Sequence, residues 1–161
     1  MTTTMERTTA DVAELLDRLR SGHREGHFYG ALFGFRKYDA LHVANQVERG
    51  LSFAALERFL RNTELSQRAL AQFADIPERT LARRKESGRL EPAESDRVAR
   101  IARVFARAID MHEGEMDAAR AWLTTPLRAL GDRSPLEFAK TDAGAIEVEH
   151  LIGRLEYGIP V

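Results

Sequence analysis

The chain has 161 residues, no cysteine, and 24 basic against 25 acidic side chains, which give a formal net charge of −1. This length is enough for one domain or two small ones, and the lack of cysteine excludes a disulfide framework, thiolate chemistry and a zinc finger. The sequence has no run of about 18 apolar residues and does not begin like a signal peptide, so we expect a soluble, cytoplasmic protein with no membrane contact.

Charge is distributed unevenly along the chain. Residues 58–107 carry 12 basic and 7 acidic side chains, whereas residues 108–161 carry 5 basic and 10 acidic ones. A uniformly basic chain would suggest non-specific coating of nucleic acid. A basic centre followed by an acidic end instead favours one surface for DNA and another for a second partner.

The first 50 residues are predicted to form short helices around a glycine-rich stretch. Segment 1–9 is polar and expected to fray, while segment 11–20 has the apolar spacing of an amphipathic helix. Glycines then recur every fourth residue, at Gly22, Gly26, Gly30 and Gly34. They could line one helix face, but each costs roughly 0.5 to 1 kcal/mol in a helix, which favours a loop or a broken helix.

Helices are predicted over 38–49 and 52–62, with Gly50 ending the first of them. Residues 66–90 then have the pattern of two short helices around a tight turn. Ser66 is a good N-cap for the first helix, and Asp75, three residues before Glu78, resembles a capping box for the second. Position 75 favours a left-handed backbone, in which glycine is commonest but which Asp tolerates.

This pattern predicts a helix-turn-helix that binds DNA. Ile76 and Leu81 are expected to point inward and anchor the pair of helices, which leaves the basic residues facing outward towards the major groove. The alternative is an ordinary solvated surface helix. The predicted DNA contacts are Ser66, Gln67, Arg79, Thr80, Arg83, Arg84, Lys85 and Arg89.

The rest of the chain is also predicted to be helical, so the fold class is all-α. Ser95 is expected to cap a long helix through Ile109, with Arg97, Arg100, Arg103 and Arg107 on its outer side. Ser134 with Pro135 is expected to begin a short helix, and Thr141 a last one. The terminal segment 157–161 is apolar, and could either fray or dock in a cleft of a partner.

From Leu51 onward the sequence resembles the Xre/MbcA/ParS family of antitoxins that are paired with RES-domain toxins. The resemblance is carried by residues 79–85 and 88–90, by 94–97, and by Ala121-Trp122-Leu123 with Pro126 and Leu130-Gly131. It continues through Ser134-Pro135-Leu136, Gly144, Val148, Leu151, Arg154 and Tyr157-Gly158. It implies a helix-turn-helix domain at 51–108 and a toxin-binding domain at 109–161. Residues 1–50 remain as an N-terminal helical and glycine-rich region, to which the resemblance gives no role.

The resemblance also implies a function. The central domain would bind the operator of the chain's own operon, and the C-terminal domain would hold a cognate RES-domain toxin that degrades NAD. Homodimerisation is expected because helix-turn-helix proteins read paired half-sites. The residues that would contact the toxin are Trp122, Arg154, Tyr157, Gly158, Ile159, Pro160 and Val161.

Alternatives remain open at several of these positions. Trp122 suits the core better than a partner surface, and Arg154 could pair with Glu147 or Glu149 instead of with a toxin carboxylate. A stand-alone transcriptional regulator, with a dimerisation or sensing tail, is the main alternative function. No catalytic residue, cofactor or metal site is predicted, since His23 and His27 have a helical metal-ligand spacing but no third ligand.

Overall fold

The computed structural model describes residues 9–22 and 27–161, which form helices joined by short turns, with no β-strand among them. The all-α prediction is therefore confirmed for this part of the chain. The first helix, α1 (Ala10–Arg20), is capped by Thr9, whose side chain accepts a hydrogen bond from the Val12 N–H at 3.2 Å. The expected fraying of segment 1–9 is thus wrong for Thr9, and residues 1–8 lie outside the described part.

The glycine-rich stretch forms a buried 3₁₀-helix at Phe28–Phe33. Gly22 and Gly34 flank this region with φ angles of 77° and 78°, which a right-handed helix does not contain. The prediction of a loop or broken helix is confirmed for these glycines. Gly26 lies outside the described residues.

Two helices follow, α2 (Ala40–Arg49) and α3 (Phe53–Thr63), with the predicted stop at Gly50 between them. Gly50 has a φ of 85°, and a Cβ atom there would collide with the carbonyl oxygen of Leu90. An isolated antiparallel bridge between Ser52 and Arg89 lies next to this contact. The α2–α3 junction is therefore fastened to the segment that follows the DNA-binding motif in sequence.

The predicted pair of short helices is present as α4 (Gln67–Phe73) and α5 (Glu78–Ser87). Ser66 caps α4 as predicted, because its hydroxyl accepts a hydrogen bond from the Ala69 N–H at 3.0 Å. Asp75 has the expected left-handed backbone, with a φ of 52°. It does not cap α5, however, because the N-cap position belongs to Pro77.

The long helix α6 (Pro92–Met111) begins earlier than predicted. Glu91 and Glu94 form a reciprocal capping box around Pro92, so the prediction that Ser95 caps this helix is wrong. Ser95 instead lies in the first turns, where its buried hydroxyl accepts a hydrogen bond from the Leu51 N–H at 2.7 Å. The start of α6 is thereby joined to the α2–α3 junction.

The C-terminal part contains α7 (Met116–Thr124), a short 3₁₀-helix (Arg128–Leu130), α8 (Pro135–Phe138) and α9 (Asp142–Glu156). Ser134 and Thr141 cap α8 and α9 as predicted. Gly144 lies where α9 passes α8, and a Cβ atom there would collide with the Phe138 carbonyl oxygen. Glycine therefore sets how closely these two helices pack.

Helix α6 is the centre of the core. It packs against α2, α7, α9 and the first 3₁₀-helix. The Phe59 ring of α3 lies between Phe33 and Phe105, with ring centroids 5.3 and 6.3 Å away, so that aromatic packing joins the 3₁₀-helix, α3 and α6. Helix α6 thus contacts elements that precede it and elements that follow it in the chain. The helix-turn-helix segment and the C-terminal helices therefore share one scaffold.

The N-terminal helix is held to this scaffold by the buried Asn62. The Asn62 amide donates to the Leu32 carbonyl and to the Asp11 carboxylate, each at 2.9 Å, and its oxygen accepts from the Thr9 hydroxyl at 2.6 Å. Buried amides need such partners to offset the cost of losing water. The N-terminal region is therefore a structural part of the fold.

Candidate functional site

The first candidate surface is the outer face of α5. Leu81 and Ile76 are buried, as predicted, and they fix the rotation of this helix against the rest of the motif. The same rotation leaves Arg79 and Arg83 exposed on the opposite side. Thr80 is half-buried beside Arg83, with 3.5 Å between the Arg83 guanidinium nitrogen and the Thr80 hydroxyl. Helices with this placement present such side chains to the major groove.

Two more of the predicted DNA contacts lie at the beginning of α4. Ser66 and Gln67 are exposed at the helix N-terminus, where free backbone N–H groups and the helix dipole favour an anion such as phosphate. The Ser66 hydroxyl oxygen is already used in capping. Any contribution of Ser66 to phosphate binding therefore includes holding this helix end in place.

Arg84 does not face outward as predicted. Its guanidinium donates to both carboxylate oxygens of Glu94 at 2.8 Å, which ties α5 to the start of α6. These hydrogen bonds lower the pKa of Glu94 below its usual range, and the Glu91 backbone N–H adds to the effect. The side chain of Glu94 is 10% exposed. Arg84 therefore holds α5 in its orientation. A bidentate contact between Arg84 and a base would require the Arg84–Glu94 pair to break.

Glu94 supports the motif by binding Arg84, a role that the sequence did not predict. Its signal is the spacing Glu91-Pro92-Ala93-Glu94, with two glutamates three residues apart around a proline, which is typical of a helix start. Recognising this start places Glu94 in the first turn of α6. The pairing with Arg84 depends on tertiary packing and has no local signal.

Lys85 and Arg89 lie at the far end of α5. Lys85 is exposed, and Gly88 ends the helix with a φ of 82°. The Arg89 guanidinium donates to the Gly50 carbonyl, so this arginine helps to hold the α2–α3 junction. Contacts of both residues with the DNA backbone stay a prediction.

The turn between α4 and α5 is held from behind by α6. The Arg97 guanidinium donates to the Ala74 carbonyl at 2.7 Å, which satisfies a carbonyl at the end of α4. One turn further along α6, Arg100 donates to the Lys140 carbonyl at 3.0 Å, between α8 and α9. Neighbouring turns of α6 therefore fix both the DNA-binding motif and the beginning of α9.

Three of the four arginines on the outer side of α6 pair with carboxylates of α9, which corrects the prediction that they point outward. Arg103 pairs with Glu149, and Arg107 lies 3.4 Å from a Glu156 carboxylate oxygen. Arg100 lies 3.7 Å from Asp142. Part of the charge contrast between the middle and the end of the sequence is thus neutralised within the chain, so the contrast alone is weaker evidence for two partners.

The second candidate surface is the C-terminal end. Tyr157, Ile159 and Val161 are 83%, 50% and 63% exposed. Gly158 has a φ of 66°, and the Ile159 and Gly158 N–H groups donate to the Arg154 and Leu155 carbonyls, as in a Schellman motif. This motif fixes the direction in which the apolar segment leaves α9.

Arg154 and Trp122, two other predicted toxin contacts, have partners within the chain. The Arg154 guanidinium donates to Glu147 at 2.9 Å and lowers the pKa of that carboxyl, which confirms the alternative of an intrachain salt bridge. Trp122 is half-buried on α7, with its ring centroid 6.2 Å from that of His112. It packs against the core as expected, and direct contact of either residue with a toxin stays a prediction.

The described residues also bear on the question of metal sites and membrane-spanning helices. No group of three or more His, Asp or Glu side chains within 9–22 and 27–161 is placed to hold a metal ion. Of the two histidines with metal-ligand spacing, His23 and His27, His23 lies outside those ranges. Across the same part of the chain, none of the helices combines the length and apolarity needed to cross a lipid bilayer.

Comparison with known proteins finds two family models that match successive segments of the chain. Residues 42–103 match the model of the antitoxin Xre-like helix-turn-helix domain, and residues 107–158 match that of the antitoxin Xre/MbcA/ParS C-terminal toxin-binding domain. A protein named Antitoxin Xre from Yersinia enterocolitica is 36% identical over 118 residues, which are 73% of this chain and 80% of the relative. A second protein of that name, from Photorhabdus laumondii, is 32% identical over 127 residues, covering 78% and 86%.

Proposed function

The chain belongs to the Xre family of antitoxins, and from this membership we propose that it neutralises a RES-domain toxin that degrades NAD and represses its own operon. Its helix-turn-helix and toxin-binding domains imply DNA and a toxin as partners. Beyond family membership, we propose that the toxin degrades NAD and that the operator is that of the chain's own operon. The NAD-degrading activity belongs to the partner, and the chain acts by binding.

The exposed apolar C-terminal end supports the toxin part of this proposal. Ligand pockets are concave and mostly apolar, so a segment such as Tyr157–Val161 suits the mouth of a cleft that binds a dinucleotide. The Schellman turn at Gly158 directs this segment before binding and reduces the conformational entropy lost on association. Insertion of the tail would block NAD sterically.

The DNA part is supported by the exposed Arg79 and Arg83 on α5. Arginine makes bidentate contacts with guanine in the major groove, and phosphate contacts position the motif. We propose that two copies of the chain read paired half-sites of the operator, since a single recognition helix covers only one half-site.

Measurement of cellular NAD tests the proposed toxin chemistry. We predict that a RES-domain protein is encoded in the same operon. That protein is expressed alone, and then together with this chain. We expect NAD to fall in the first case and to stay at the level of uninduced cells in the second. If the toxin alone arrests growth while NAD stays constant, the toxin has another activity and this part of the proposal is wrong.

A further inference from the structure

A stripe without Lys, Arg, Asp or Glu side chains runs along the outer side of α9. It consists of positions spaced by three and four residues, which place it on one helix face, at Ala143, Ile146, His150, Gly153 and Tyr157. Ile146 is 42% exposed, the His150 side chain 65%, and Tyr157 83%. Buried residues of α9, such as Val148 and Ile152, point the other way into the core. We call this face the outer stripe.

The borders of the outer stripe carry charges that are paired within the chain. On one side Arg154 bonds to Glu147 at 2.9 Å. On the other side Glu149 and Glu156 pair with arginines of α6. A partner that covers the outer stripe therefore meets a mostly apolar ridge whose charged borders already have counter-ions. The polar groups within the ridge include the His150 ring, which lies 3.7 Å from the Glu147 carboxylate. Such a ridge suits an apolar, weakly charged surface.

No packing contact within residues 9–22 and 27–161 explains the glycine at position 153. It lies inside α9 with a helical backbone, and a Cβ atom there would meet nothing within 4 Å. Glycine costs roughly 0.5 to 1 kcal/mol relative to alanine inside a helix. Gly144 in the same helix offsets that cost by its close packing against α8, whereas Gly153 leaves a shallow gap in the outer stripe. Glycine at an exposed helix face allows the backbone of another molecule to approach closely.

We infer that the outer stripe is a second docking surface for the toxin, which extends from the terminal tail along α9. This inference rests on the proposed function. The stripe lies within the residues that match the toxin-binding domain, and Tyr157 belongs both to the stripe and to the exposed end. The two surfaces are therefore continuous. The tail occupies the cleft of the toxin, and an apolar ridge or helix of the toxin packs over Gly153, between Ile146 and Tyr157.

Two substitutions on the stripe test this inference. Gly153→Gln adds a bulky, helix-favouring side chain where the free protein has open space, so it leaves the fold intact and obstructs only a partner. Ile146→Asp places a charge on the apolar ridge. The matched controls are Ala13→Gln, on the exposed side of α1, and Leu41→Asp, where Leu41 is 72% exposed on α2.

Affinity for the purified RES-domain toxin is measured by calorimetry, with thermal unfolding of each free variant beside it. We expect Gly153→Gln and Ile146→Asp to weaken binding by about tenfold or more, with unfolding temperatures at or above wild type for Gly153→Gln. Both controls should bind within about twofold of wild type, as rim or distant residues do.

Three results would overturn the inference. Wild-type affinity in both stripe variants means that the toxin does not cover this face. A change in the oligomeric state of the free antitoxin, measured by light scattering, assigns the stripe to a second copy of the chain. If the wild-type chain itself does not bind the RES-domain toxin, the proposed function fails, and that result is distinct from the first two.

Discussion

Arg83 and Arg84 are neighbours in sequence with different positions in the structure. Arg83 is exposed on the outer face of α5, whereas Arg84 is paired with Glu94. Periodicity places both of them away from the core, but it does not identify which arginine has a carboxylate ten residues later. The two arginines must therefore be tested separately, Arg83 for contact with DNA and Arg84 for support of the motif.

Alanine substitutions separate these two roles. Arg83→Ala is expected to weaken operator binding by about 1 to 3 kcal/mol with no change in unfolding temperature, because it removes an exposed side chain that we propose contacts a base edge. Arg84→Ala is expected to lower the unfolding temperature, because it leaves the Glu94 carboxylate without its partner. Fluorescence anisotropy with operator and scrambled DNA gives the affinities. Equal loss on both DNA sequences would make Arg83 a phosphate contact, and no loss would remove it from the interface.

The Arg84–Glu94 pair also predicts a dependence of stability on pH. Because the folded-state pKa of Glu94 is lowered, the pair stabilises fully above the usual glutamate pKa of about 4.3, and this stability is lost as pH falls through the folded value. At about pH 7, Glu94→Gln should reduce the free energy of unfolding by about 1 to 2 kcal/mol. In urea titrations the difference between wild type and variant should shrink towards about pH 3. A difference that is constant with pH would contradict the ionised pair.

At the scale of elements, the helix starts that depend on local chemistry were predictable. Ser66, Ser134 and Thr141 cap helices as the sequence indicates, because a side-chain oxygen bonds to a backbone N–H three residues later. The starts predicted at Asp75 and Ser95 are wrong. Pro77 itself holds the N-cap position of α5, and Glu91, followed by Pro92, holds that of α6.

The two glycines of α9 give opposite predictions for stability. Gly144→Ala should reduce the free energy of unfolding by about 1 to 3 kcal/mol, because the added Cβ atom collides with the Phe138 carbonyl and separates α8 from α9. Gly153→Ala should raise it by about 0.5 to 1 kcal/mol, since the site is open and helical. Chemical denaturation of both variants measures the difference. Equal effects would mean that close packing at Gly144 is not what sets the α8–α9 contact.

At the scale of the whole molecule, α6 joins the two functions. Its first turns hold the α4–α5 turn through Arg97, and its later turns pair with α9 through Arg103 and Arg107. The sequence indicates the opposite charges of these segments but not that they face each other, because pairs such as Arg103 and Glu149 are 46 residues apart. The outer stripe is absent from the sequence prediction for the same reason, since it emerges only when the buried side of α9 is known. The boundary predicted between residues 108 and 109 stays a prediction.

We propose above all that the C-terminal end neutralises the toxin while the helix-turn-helix acts on DNA. Deletion of Tyr157–Val161 tests it most directly, because these residues lie beyond the last residue of α9 and are exposed. Growth of cells that express the RES-domain toxin is measured with the full-length or the shortened chain, and operator affinity and unfolding temperature are measured on both purified chains. We predict that the shortened chain binds operator DNA within about twofold of wild type and unfolds at a similar temperature, but no longer protects the cells. Full protection by the shortened chain would contradict the account.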